Sequence, residues 1–142
     1  MNWLPRKRAL VPVDFSDKSF TAVDVARDLV EQAADIHVVH VLQELSAMEP
    51  SEVWRTIDEE TRIRHATKAL IDRLEEDGAG DVSASVFVGD PARRLATLAS
   101  EENFDLIVLT SHGRTGFQRL MLGSVAERLV RLAHCPVIVL RD

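Results

Sequence analysis

Cysteine occurs once, at Cys135, in a chain of 142 residues. An intrachain disulfide framework and an all-cysteine metal site within one chain are thereby excluded, and thiol chemistry is open only between chains. Apolar runs of membrane-spanning length are absent, and the opening Met1-Asn2-Trp3-Leu4-Pro5-Arg6-Lys7-Arg8 is basic but lacks the apolar stretch of a signal peptide. A cytoplasmic protein with no membrane contact is expected. No window concentrates Lys and Arg, and 17 basic against 23 acidic residues leave a formal net charge of −6, so nucleic-acid binding is not expected either. The G-x-x-x-x-G-K-[ST] loop is missing, and no G-x-G-x-x-G follows the first apolar segment, which argues against P-loop and dinucleotide-dehydrogenase chemistry. Internal repeats, linkers and low-complexity segments are lacking too, and at 46% apolar content the residues 1–142 read as a single domain with one continuous core.

What is present alternates between two periods. Ala9 to Val13 is a short apolar strand, and Asp14, Ser16 and Asp17 mark its exit into a helix. Val23, Ala26, Leu29, Val30 and Ala33 recur at helical spacing, so this helix is expected to run to about Ala34 before Ile36 to Leu42 resumes as a strand apolar on both faces. The longest helical pattern starts at Pro50-Ser51, presents Val53, Ile57, Ile63, Ala66, Leu70 and Leu74 on one side, and ends at Gly78-Ala79-Gly80. Val82 to Val88 alternates as an edge strand does. Asp90-Pro91 caps a helix ending near Asn103, Leu106 to Leu109 is a central strand, and a loop from Thr110 to Gly123 leads to a helix from Ser124 to about Ala133. Val137 to Leu140 is the last strand. Five strands alternating with four helices predict an α/β fold, a doubly wound, Rossmann-like parallel sheet of order 3-2-1-4-5, with its site at the C-terminal strand ends. Pro12 fits a central strand only where that strand is already leaving the sheet.

The stretch Ser111-His112-Gly113, nine residues from Arg114 to Leu122, then Gly123-Ser124-Val125-Ala126-Glu127 joins a buried strand to a helix. Free N–H groups at a helix start and the positive end of its dipole favour an anion, and Gly113 and Gly123 let the backbone approach a phosphate. Ser124 can donate a hydroxyl, while Arg114 and Arg119 add positive charge. The competing reading is a capping box, since Ser124-Val125-Ala126-Glu127 matches S-x-x-E and needs no ligand.

These segments resemble the universal stress protein family, whose nucleotide-binding members carry G-x-x-G, nine residues, then G-[ST]. The resemblance spans the chain and rests on Val11-Pro12-Val13-Asp14-Phe15-Ser16, Val39-His40-Val41, Thr110-Ser111-His112-Gly113 with Gly123-Ser124-Val125, and Cys135-Pro136-Val137-Ile138-Val139. It implies ATP, with magnesium or manganese as the candidate accompanying cation. Adenine would lie near the main chain of Val41, Asp14 close to the ribose or adenine edge, and phosphates on Gly113, Gly123, Ser124 and Val125, with Pro12, Val13, Thr110 and Arg114 also in the nucleotide-binding set. The first motif glycine is Thr110 here, whose branched side chain stands where the family brings backbone against the nucleotide. The resemblance also implies a two-fold homodimer along Val137 to Leu140, matching a last strand that is apolar on both faces with nothing after it to cover it.

The remaining candidates read as structural. His37 and His40, three apart in a strand, point to opposite faces and share no metal, and His65, His112 and His134 are scattered. Cys135 sits where a helix C-terminus disfavours a thiolate. Trp54 reads as a helix-face contact and Trp3 as a flexible terminal residue; Asp58-Glu59-Glu60 and Glu75-Glu76-Asp77 read as solvated. No catalytic residue and no metal ligand emerges. The expectation is an ATP-binding homodimeric stress-response regulatory module with slow or no hydrolysis and an unidentified protein partner. The alternatives are a nucleotide-free interaction module of the same fold, which Thr110 favours, and a small phosphohydrolase using Asp14, which lacks partner carboxylates for Mg²⁺.

Overall fold

A computed structural model describes residues 2–44, 52–111 and 123–141, with the backbone alone for 52–57. The chain runs β1 (Ala9–Pro12), α1 (Asp17–Arg27), a 3-10 turn (Ala33–Asp35), β2 (Ile36–Leu42), α2 (Glu52–Glu76), β3 (Ser83–Val88), α3 (Pro91–Glu101), β4 (Leu106–Thr110), α4 (Ser124–Leu132) and β5 (Val137–Leu140). The strands form one parallel sheet in the order β3-β2-β1-β4-β5. The Pro50-Ser51 helix start lies outside the described residues, as do the side chains of Val53, Trp54 and Ile57.

Because successive side chains of a strand point to opposite faces, the apolar runs feed two separate cores. Ala9, Val11, Ile36, Val38, Leu106 and Val108 pack with Phe20, Val23 and Ala26 of α1 and Leu70 and Leu74 of α2. Leu10, Val39, Ile107 and Leu109 pack with Leu95, Leu98 and Ala99 of α3 and Ala126 and Leu129 of α4. Helices therefore cover both sides of the sheet, as right-handed crossovers require.

The first helix is shorter than its periodicity suggests. It stops at Arg27, and Asp28 caps it. Leu29 and Val30 continue the apolar spacing because the chain tucks against the N-terminal segment: Arg6 N–H donates to Leu29 O at 2.7 Å and Arg6 bridges Val30. Val30 is buried without being helical.

Pro12 sits where the sheet tolerates it. Pairing of β1 with β4 covers Ala9 and Leu10, whereas pairing with β2 continues to Pro12 opposite Val39. Val13 N–H donates to Val39 O at 2.9 Å, so the neighbouring Pro12 nitrogen points to the β4 side, from which β1 has already parted. That parting opens the crevice described next. Among the described residues no helix is long and apolar enough to cross a membrane. Trp3 is half exposed, with the Arg6 guanidinium 4.5 Å from its ring centre.

Candidate functional site

Where β1 and β4 diverge, the C-terminal ends of β1, β2 and β4 enclose a cavity of about 330 Å³. This is the point at which the strand order reverses, the usual ligand crevice of an open α/β sheet. Pro12, Val13 and Asp14 line it from β1, Val41 from β2, Thr110 from β4, and Gly123, Ser124 and Val125 from the start of α4. Gly113 and Arg114, with His112 and Arg119, lie outside the described residues. Thr110 is the last residue of β4, paired with Leu140, so its backbone is extended and its branched side chain is unstrained.

Asp14 both braces the start of α1 and lines the cavity. Its carboxylate accepts from Ser16 N–H at 3.0 Å and Ser16 Oγ–H at 2.6 Å, and its own N–H donates to Ser19 Oγ at 3.2 Å. Ser16 is the N-cap of α1, accepting from Ser19 N–H at 3.1 Å. Between them Phe15 has φ +67°, the left-handed region that a bulky residue rarely enters. The result is a tight turn that braces the helix start while keeping Asp14 on the cavity wall.

At the facing wall, the capping box does not form. Gly123, not Ser124, occupies the N-cap of α4, and it has no side chain to offer. Glu127 N–H donates to Gly123 O at 2.9 Å, while the Glu127 carboxylate turns outward and accepts from Arg131 at 3.0 Å. Helix geometry leaves the leading N–H groups, from Ser124 to Ala126, without an intrahelical acceptor, and these residues line the cavity. The first turn of α4 thus brings N–H groups with no intrahelical acceptor, and the positive end of a helix dipole, to the cavity wall. Beside its packing on α3, α4 is tied to that helix by Arg128, which donates to both carboxylate oxygens of Asp90 at 2.7 and 2.8 Å. Asp90 in turn caps α3 through Arg93 N–H. The Arg128 hydrogen bonds hold the Asp90 carboxyl below the usual carboxylate range.

Ser19, Gln43, Pro91 and Leu95 line the wall from outside the motifs, and His40 and Ser111 join it from within them. His40 belongs to a segment singled out above, but its partner, the Val13 carbonyl at 2.8 Å, is 27 positions away and invisible to local spacing. His37 is indeed on the opposite face and takes no part. Ser83 Oγ–H donates to Ile36 O at 3.2 Å, so Ser83 receives His37 Nδ1–H at 2.6 Å and Nε2 accepts from Ser85 at 2.7 Å. Burial, with a contribution from the Arg8 charge, pushes the His37 pKa down against the opposing pull of Glu102. Cys135 packs beside the α3–α4 core, and burial pushes its thiol up, with the Asp105 charge adding to it. Among the described residues no group of His, Cys, Asp and Glu is arranged to hold a metal ion.

The family model described as "Universal stress protein family" matches residues 5–141. The chain belongs to the universal stress protein family. Universal stress protein MJ0531 of Methanocaldococcus jannaschii is 32% identical over 142 residues, covering 95% of this chain and 82% of that relative. Among solved structures, MJ0577 of the same organism superposes with a TM-score of 0.82 at 25% identity, covering 98% of both chains. A universal stress protein solved in complex with cAMP shares the fold at a TM-score of 0.65 and 24% identity, over 96% of this chain and 98% of that one. In this universal stress protein the described positions that the resemblance marks out, from β1, β2, β4 and α4, all line one cavity.

Proposed function

We propose that this universal stress protein binds an adenine nucleotide, with ATP as its ligand, in the cavity between β1, β4 and α4. The reading is carried by one observation: the first turn of α4 lines the cavity with glycine at its N-cap, so among the described residues no N-cap side chain takes its leading N–H groups. A volume of about 330 Å³ falls in the range of small-molecule sites. Adenine lies by the main chain of Val41, the ribose against Asp14 and Thr110, and the phosphates on Gly123, Ser124 and Val125, completed by Gly113 and Arg114. A magnesium or manganese ion would ride on the phosphate oxygens and water rather than in a protein cage. The complex with cAMP supports the ligand class at the level of the fold.

Hydrolysis is slow or absent in this account. Of the described lining residues Asp14 and His40 alone are titratable. Asp14 is engaged by Ser16 at the sugar end, and His40 belongs to β2, where this reading seats the adenine rather than the phosphates, so neither stands beside the phosphate that a water would attack. The module works as one domain and as a cytoplasmic homodimer. Val137 to Leu140 are half-buried, and Ile138 and Leu140 turn their main chain to β4, leaving that of Val137 and Val139 on the free edge for a second copy. Nucleotide occupancy then alters the surface offered to a partner protein.

Thr110 favours a second reading, a nucleotide-free interaction module, because its branched side chain lines the cavity. Denaturing the purified protein and identifying any released adenine nucleotide, followed by melting in rising ATP, separates the two. Saturation at one hundred times Kd adds about 2.7 kcal/mol and raises the midpoint by several degrees. No response to millimolar ATP, with a response gained by Thr110→Gly, selects the second reading.

A further inference from the structure

The turn that carries Asp14 is conformationally expensive. A non-glycine residue at φ +67° costs on the order of 1 kcal/mol and persists only where its surroundings over-determine it. At Phe15 the core and the Asp14–Ser16 bonds supply part of those surroundings, and one residue of the neighbouring strand supplies the rest. His40, in β2, reaches the turn from both directions: its Nδ1 lies 2.8 Å from the Val13 carbonyl, and its ring meets the Phe15 ring edge-on at 4.8 Å. A carbonyl only accepts, so Nδ1 carries the proton. Phe20 of α1 closes the other side of Phe15, with ring centres 6.2 Å apart. One face of the turn is therefore clamped to the sheet, and the other presents Asp14 to the cavity.

We propose that His40 is the positioning residue of the site: it fixes the Val13–Phe15 turn in its left-handed form and so sets the place of Asp14. The proposal rests on the nucleotide reading for its consequence but not for its geometry. Removing the Nδ1–H donor frees the Val13 carbonyl to rotate. Phe15 then relaxes towards negative φ, and Asp14 loses both its bond to Ser16 and its place on the wall. The ring contact alone cannot hold the carbonyl, and a donor at the Nδ1 position can.

Two substitutions separate the functions of the side chain. His40→Phe keeps an aromatic edge against Phe15 and lacks the donor; His40→Asn keeps a donor near the Nδ1 position and lacks the ring. Hydrogen exchange of the Asp14 and Ser16 amides is read in the ligand-free protein relative to Val38 and Val39, so that a general loss of stability cancels. The expected result is faster relative exchange in His40→Phe and protection near that of the unsubstituted protein in His40→Asn. ATP affinity, by calorimetry, falls about fivefold to tenfold in His40→Phe, as the loss of one hydrogen bond predicts, and recovers in His40→Asn. Unchanged relative exchange in His40→Phe, or the same loss in both variants, overturns the proposal. A protein that binds no ATP at all sinks the nucleotide reading instead, and the exchange contrast still decides the role of His40.

Discussion

Arg128 grips Asp90 with both terminal nitrogens of its guanidinium, at 2.7 and 2.8 Å, and so ties helix α4 to the residue that caps α3. The pair is solvent-exposed, and exposed pairs contribute little to global stability. Its effect is on where the first turn of α4 sits relative to the cavity. Arg128→Ala is expected to leave the melting midpoint of the ligand-free protein nearly unchanged and to weaken ATP by up to about fivefold. Arg128→Lys does not restore binding, because a single ammonium cannot reproduce the two-pronged grip. Thermal melts with and without ATP check both statements.

The proposed dimer is tested on the free edge of β5. Leu140 and Pro136 turn their carbonyls to β4, so Val139 points its N–H away from the sheet. Val139→Pro removes a donor from that edge while leaving the β4 ladder intact. Light scattering is expected to show the unsubstituted protein at twice the chain mass and Val139→Pro at the chain mass. A dimer that survives this substitution places the interface elsewhere.

His37 makes stability depend on pH. Its pKa in the folded protein is below the ordinary 6.5, chiefly through burial, so the folded state resists a proton that the unfolded chain accepts. Stability is full above the unfolded value and declines as pH falls from about 6.5 through the lower folded value. Urea midpoints between pH 7.5 and pH 5 are expected to fall further for the natural protein than for His37→Gln, which has nothing to titrate there. Equal slopes contradict the assignment.

Legibility in the sequence followed the range of the forces involved. Strands β2 and β5 were readable at their observed bounds because short apolar runs of Val, Ile and Leu have few other uses. The end of α1 was not, because Leu29 and Val30 are apolar for packing under the N-terminal segment, and no glycine or proline announces the break. At α4, S-x-x-E matched a capping box, yet Gly123 takes the cap; the pattern could not tell N-cap from the first helical position. The described site residues came from family motifs and do share a cavity. The clamp of His40 on Val13 was hidden, since it joins adjacent strands across the sheet rather than neighbours in the chain.

The central claim is that the uncapped start of α4 holds phosphate. Gly123→Asp supplies the missing cap, so it should preserve or slightly raise stability while placing a carboxylate where the phosphates would sit. Calorimetric titration of ATP into the natural protein and into Gly123→Asp is the most direct measurement. The account predicts a one-to-one binding isotherm for the former and a loss of at least about tenfold in affinity for the latter, with melting midpoints that match or favour the variant. Equal ATP affinities in the two proteins would contradict it.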